Sequence, residues 1–392
     1  MSESSPTPPA PVVPRGTVTT RLIHRGARGP QEWWRSSAVY VNEPPLLHAA
    51  STLEDVEQRL PLLRAVSRLG AQAVRIGCPP LPGEVDDDVL SAVRDLMARA
   101  KRTGLRVILR IDPLDARDEA SAAYWLARGA DGLDLGPVTT EAPVSHQRYR
   151  ELHALLAEHG VTEYPVLSTR LSPAVQHLAA EMLHEDWLHH LVDTSLLHAT
   201  EPAQVIASVT ENLQIRDALG TTGAWLVPDV EEAGSPQLAL AGALIVLAMP
   251  GAVYLRQGVE LGLPVKTSPE LEPERTAQAM ALLEEQRGVT GSHFETFRAA
   301  LRLRTDHRLG LGSMAWVEDV GAPVPDHVLA FVTGEMLVVM NTGTDTYPLP
   351  ADQEVLLSSG PLESSGRGLP PATTAWLWLE PSVPVRDPRA RR

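Results

Sequence analysis

Asp229 closes the apolar run Ala224–Val227, and Glu231 and Glu232 follow it. A carboxylate at the end of a strand could act as nucleophile or general base, and two acids on one short segment could share acid/base work. The same residues have structural uses. An aspartate ahead of a helix caps its free N–H groups, and acidic residues in a first turn are favoured by the helix dipole. On that reasoning Glu231 and Glu232 read as a solvated face, while Asp229 stays open between a cap and a functional acid. His184, His189 and His190 cluster around Trp187, but their spacing fits neither His-Glu-x-x-His nor another strong metal pattern, so no metal is expected. Leu309-Gly310-Leu311-Gly312-Ser313 opens no βαβ unit and does not read as a nucleotide fingerprint. Cys78 is the only cysteine, which rules out an intramolecular disulfide and a cysteine-based metal site and suits a cytoplasmic protein. No cofactor is expected.

A chain of 392 residues exceeds what one hydrophobic core usually serves, so a large domain with a smaller one is expected. The net charge of −15 argues against nucleic acid, whose phosphates need Lys and Arg. From Ser37 onward, apolar runs alternate with longer amphipathic segments, the pattern of parallel strands joined by crossover helices. Eight strands are predicted: Ala38–Val41, Ala71–Ile76, Leu105–Ile111, Gly132–Leu135, Tyr164–Ser168, His190–Asp193, Ala224–Val227 and Ala252–Leu255. Helices are predicted at Leu53–Leu69 and Asp87–Arg102, the second stopped by Thr103-Gly104. Eight βα units in about 250 residues match a (β/α)₈ barrel. Leu238–Leu255 reads as a buried helix running into a strand, since Pro250-Gly251 breaks it before it could span a membrane. After about Leu303 the pattern becomes antiparallel, with strands at His327–Val332, Met336–Asn341, Glu354–Ser358 and Thr374–Leu379. The expected organisation is a disordered Pro-rich tail over 1–30, a barrel over 31–303, a β-domain over 304–379 and a Pro/Arg-rich tail over 380–392.

Several segments resemble glycoside hydrolase family 13, the α-amylase family, and in particular its bacterial α-glucosidase-like members. Trp33-Trp34-Arg35 before Ala38-Val39-Tyr40 is similar to the family's opening strand, and Gly104-Leu105-Arg106-Val107-Ile108-Leu109 to its third. Trp125 to Leu133 resembles the approach to the catalytic nucleophile. The most specific likeness is Pro250 to Gly262, which looks like the eighth strand and the turn after it. The resemblance implies a (β/α)₈ barrel followed by a small antiparallel β-sandwich.

Carried onto this chain, the resemblance puts Gly136 at the nucleophile position and Thr169 at the acid/base position, so neither carboxylate is present. Of the triplet after the seventh strand only Asp229 survives, and the third-strand motif Asp-x-x-Pro-Asn-His becomes Arg110-Ile111-Asp112-Pro113-Leu114-Asp115, which lacks the substrate-contacting histidine. Asp134 lies two residues before Gly136, about 6.6 Å deeper along the strand at ~3.3 Å per residue. A retaining glycosidase needs its two carboxyls roughly 5–5.5 Å apart. Asp134 therefore reads first as structural, paired in the lumen with Arg110, with Asp112 as a second acceptor. The family's long insertion after the third strand is also missing, and no aromatic residue occurs between Tyr40 and Tyr124, so a shallow cleft is expected.

The leading expectation is a catalytically inactive relative, acting through an unidentified protein partner or by weak sensing of an α-glucan or oligosaccharide. Asp229, Asp115 and Asp112 are its candidate binding residues. One alternative is an active hydrolase or transglycosylase with relocated carboxylates among Asp112, Asp115, Asp134, Asp229, Glu231 and Glu232. The other is an accessory subunit of an active enzyme, with Met1–Pro14 as a recruiting tether.

Overall fold

The computed structural model describes residues 18–42, 63–140, 144–171, 178–184, 187–197, 201–265, 272–320, 323–363 and 366–379. The chain enters through strand β1, Val18–His24. Eight parallel strands follow: β2 Ala38–Val41, β3 Ala73–Gly77, β4 Arg106–Arg110, β5 Gly132–Val138, β6 Val166–Leu171, β7 His190–Val192, β8 Ala224–Leu226 and β9 Ala252–Arg256. They lie side by side in the order β7-β6-β5-β4-β3-β2-β9-β8. The ring closes between β7 and β8 through one bridge, Asp193 to Trp225, whose Asp193 amide donates to the Ala224 carbonyl at 2.8 Å. Each of the eight strands read from the sequence is present, shifted by no more than three residues at an end. Buried parallel strands are apolar on both faces, so they stand out as runs.

The helix Asp87–Arg102 shows why these segments coil. Val89, Leu90, Val93, Leu96, Met97 and Ala100 form its buried stripe, Asp87 and Asp88 sit in its first turn, and Gly104 continues the chain at φ +83°. Of the helix expected at Leu53–Leu69, residues 63–69 are helical and 53–62 lie outside the described residues, as do the proposed tether Met1–Pro14 and the tail from Glu380. Leu238–Leu255 divides into a helix, Pro236–Ala248, and strand β9. No described helix is long and apolar enough to cross a membrane.

The second domain contains β10 Met314–Val320, β11 Val328–Thr333, β12 Met336–Asn341, β13 Tyr347–Pro348, β14 Glu354–Ser358, β15 Gly368–Leu369 and β16 Thr373–Trp378. Six strands form an antiparallel sheet in the order β1-β10-β11-β12-β16-β14, and β13 pairs with β15. One sheet face, with Trp316, Phe331, Val338 and Trp376, joins the barrel's core. The other buries Val317, Val328, Ala330, Leu337 and Leu377 with Val18, Leu349 and Leu369. Trp376 Nε1 donates to the Leu244 carbonyl at 3.1 Å and Thr374 Oγ1 to Ala241 at 2.9 Å, which docks the sheet on the helix Pro236–Ala248.

Two boundaries differ from the sequence reading. The disordered tail expected over 1–30 contains β1, which pairs antiparallel with β10 at the sheet edge. The strand was hidden behind the proline-rich stretch, although Val18, Thr19, Thr20 and Ile23 are β-branched residues that fit a pleated surface. The boundary at 303/304 falls inside a helix, His293–Asp306, because Arg304 is buried and donates to the carbonyls of Leu247 and Met249 at 2.8 and 2.6 Å.

Candidate functional site

Alternate residues of a barrel strand face the lumen. At the lower end, Val39, Ala73, Ile108, Val166 and Ala252 pack with Trp34 into an apolar plug. Above it the lumen is polar. Arg75 Nη1 donates to Asp134 Oδ1 at 3.0 Å and Nη2 to the Asn42 carbonyl at 3.1 Å. Ser168 Oγ donates to Asp134 Oδ2 at 2.8 Å, and the Gly136 amide to Oδ1 at 3.0 Å. Arg110 Nε lies 3.9 Å from the same Oδ1, and its Nη1 donates to the Ile111 carbonyl. Burial pushes the Asp134 carboxyl up. The charges of Arg75 and Arg110 and the hydrogen bonds from Ser168 and Arg75 outweigh this and hold it below its usual range.

The sequence reading paired Asp134 with Arg110, which is adjacent in register on β4. The nearer guanidinium is that of Arg75, two strands away on β3. Side chains of one lumen layer come from alternate strands, so β3 and β5 share a layer while β4 contributes to the next. Asp112, expected as Arg110's second acceptor, is exposed, and its Oδ1 accepts the Leu114 amide at 2.9 Å. His190 and Tyr254 fill the rest of the layer, with His190 Nδ1 2.8 Å from the Tyr254 hydroxyl. Burial, with the nearby charges of His189 and Arg216, pushes His190 down to about 3, and burial raises Tyr254.

At the C-terminal ends of the strands, Gly136 takes φ +66° in an irregular stretch of the β5–β6 register. A Cβ added there would collide with Nε, Cζ and Nη2 of Arg110. Thr169 is fully buried, and its Oγ1 donates to the Gly136 carbonyl at 2.9 Å. Asp229 caps the short helix Val230–Ala233. Its Oδ1 accepts the Glu232 amide and its Oδ2 the Val265 amide, both at 2.8 Å, while its own amide donates to Glu232 Oε2 at 2.9 Å. Glu232 is held by Arg256, whose Nη1 donates to Oε1 at 2.8 Å, and Glu231 is exposed. Asp115 caps the helix Ala116–Leu126 by accepting the Arg117 amide at 2.8 Å. That helix alone joins β4 to β5, where the family's insertion would stand.

The functional-looking residues that sequence reasoning missed are Arg75, Asn42, Ser168, Tyr254 and Asp118. Arg75 had a signal: one charge inside the apolar run Ala71–Ile76 demands a partner. Asp118 accepts the Asp112 amide at 2.7 Å, and its carboxyl is raised by burial, with Asp115 and Asp112 adding like charge. Of the histidines around Trp187, His189 packs on Trp34 and stacks on His153 with ring centroids 5.0 and 5.6 Å away. No group of three or more His, Cys, Asp or Glu among the described residues is placed to hold a metal ion.

No protein-family model matches the sequence, and no curated protein matches it at a significant level. Solved structures do. An α-glucosyl transfer enzyme, XgtA, superposes with a TM-score of 0.64 at 15% identity, over 89% of this chain and 100% of the other. Isomaltulose synthase from Erwinia rhapontici NX5 gives 0.58 at 13% identity, over 90% and 100%. A pullulanase from Anoxybacillus sp. LM18-11 gives 0.63 at 12% identity, over 90% and 72%. The chain thus has the fold of the α-amylase-family enzymes, an eight-stranded parallel barrel followed by an antiparallel sheet domain.

Proposed function

We propose that this protein is a non-catalytic relative of the α-amylase-family enzymes that works by binding, through a protein partner or an α-glucan or oligosaccharide, at the barrel mouth. The observation that carries the reading is that Gly136 brings no side chain to that strand end, and the Arg110 guanidinium lies in the space a Cβ there would take. The other carboxylates support it. Asp229 and Asp115 are engaged as helix caps, Asp134 is saturated in the lumen, and Glu232 is paired with Arg256. An accessory subunit of an active enzyme is a separate alternative.

The raised carboxyl of Asp118, close to Asp112 and Asp115, is what favours the competing reading of a hydrolase with relocated acids, because a general acid needs such a shift. Assays with maltose, isomaltose, trehalose and aryl α-glucosides separate the two. Release of glucose or aglycone should not exceed the buffer control. Turnover that disappears in Asp118→Asn or Asp229→Asn overturns the non-catalytic reading.

A further inference from the structure

A recess of about 320 Å³ lies outside the lumen, between the helices Pro202–Leu219 and Pro236–Ala248 and the β11–β12 side of the sheet domain. Leu197, Val205, Leu238, Ile245, Leu329 and Met340 line it, and none of the strand-end or lumen residues discussed above does except Glu232 at its rim. Protein interiors are normally packed with few voids larger than a water molecule, and small-molecule sites begin at roughly 300 Å³, often at domain interfaces. The size and the position between two domains fit a ligand site.

The lining decides the ligand. Among the described residues that line the recess Glu232 is the one charged side chain, and its carboxylate is already matched by Arg256 and by the Asp229 amide. A charged ligand would lose its hydration and find no counter-charge. A sugar would fare little better, because several hydroxyls would face leucine, valine and isoleucine. Thr342 also lines the recess, and since its hydroxyl donates to the His327 carbonyl at 2.8 Å, its remaining capacity is to accept. Ala372, on the same wall, is held at φ +53°, which a non-glycine residue adopts only where its surroundings enforce it.

We propose that this recess binds an uncharged, mostly hydrocarbon small molecule that donates one hydrogen bond to Thr342. Such a ligand bridges barrel and sheet domain, and through Glu232 it contacts the group that holds Arg256 at the end of β9. The site is independent of whether the barrel mouth is catalytic.

The test titrates the full-length protein with N-phenyl-1-naphthylamine, a neutral apolar fluorophore with one N–H donor. One saturable site is expected. Val205→Trp narrows the recess from the helix side and Met340→Trp from the sheet side, and each should weaken probe binding by about tenfold or more. Leu114→Trp, at an exposed position away from the recess, should leave binding unchanged. A melt followed by circular dichroism shows which filled variants are folded, and either folded one decides. Absence of saturable binding, or unaltered affinity in a folded filled variant, overturns the proposal.

Discussion

Replacing Asp134 by alanine tests how the polar lumen is held. Asp134 and Arg75 are 5% and 6% exposed at the side chain, and the substitution removes the acceptor of three hydrogen bonds, from Arg75, Ser168 and the Gly136 amide. Stranding a buried guanidinium costs about 3–5 kcal/mol. Arg75→Met/Asp134→Leu removes both charges and should cost much less, leaving mainly the Gly136 amide unmet at about 1–3 kcal/mol, since the Ser168 hydroxyl can turn to the Leu133 carbonyl at 3.3 Å. Arg110 stands 3.9 Å away with a side chain 26% exposed, so Arg110→Met should cost about 1 kcal/mol or less. Equilibrium unfolding in guanidinium chloride at pH 7, followed by tryptophan fluorescence, gives the four midpoints. That pH lies far above the depressed Asp134 pKa, so the carboxylate is fully charged. The reasoning fails if Arg110→Met is as costly as Asp134→Ala, or if the double variant is no more stable than Asp134→Ala.

Two further outcomes are expected. His190 and His189 are pushed down to about 3 and about 4 by burial, so below pH ~6.5 the unfolded chain binds more protons and stability falls as acid is added. Between pH 6 and 4.5 each contributes up to about 1.4 kcal/mol per pH unit, and His190→Phe should flatten the measured dependence by that amount. Deleting residues 1–24 removes β1 and the His24–Asp217 contact at 2.6 Å, exposes the edge of β10, and should lower the unfolding midpoint and promote association of the chains in light scattering. An unchanged midpoint would mean that β1 adds nothing to the sheet domain.

Much of this architecture is legible because its signals are local. The helix Asp87–Arg102 has its stripe, its acidic first turn and its glycine stop in sixteen consecutive residues and their neighbours, and the strands Ala38–Val41, Met336–Asn341 and Glu354–Ser358 end where their apolar runs end. The site was less legible because its pairings are not local. Arg75 and Asp134 are 59 residues apart and meet across the lumen, two strands removed, so neither sequence spacing nor strand adjacency points from one to the other. The capping role of Asp229 could be read from Glu232 three residues later, but the Val265 amide that occupies its second oxygen comes from the far side of β9.

The residues at positions 110 and 136 depend on each other. A glycine at 136 costs backbone entropy and gives no side chain to pack, yet at φ +66° it is the residue that suffers least strain, and its missing Cβ is the space in which the Arg110 guanidinium lies. An aspartate there would meet three difficulties at once. Its backbone would be strained, its Cβ would need Arg110 to move, and its charge would stand two residues from the Asp134 carboxylate, whose partners are already committed. Moving Arg110 would in turn withdraw one of the two cations that keep Asp134 ionised. A carboxylate at the strand end would thus require the Arg110 guanidinium to move, and Thr169 Oγ1 donates to the Gly136 carbonyl, which ties that backbone to β6. Positions 110, 134 and 136 therefore form one packed unit, and a carboxylate placed at 136 is expected to need compensating change at 110 and 134.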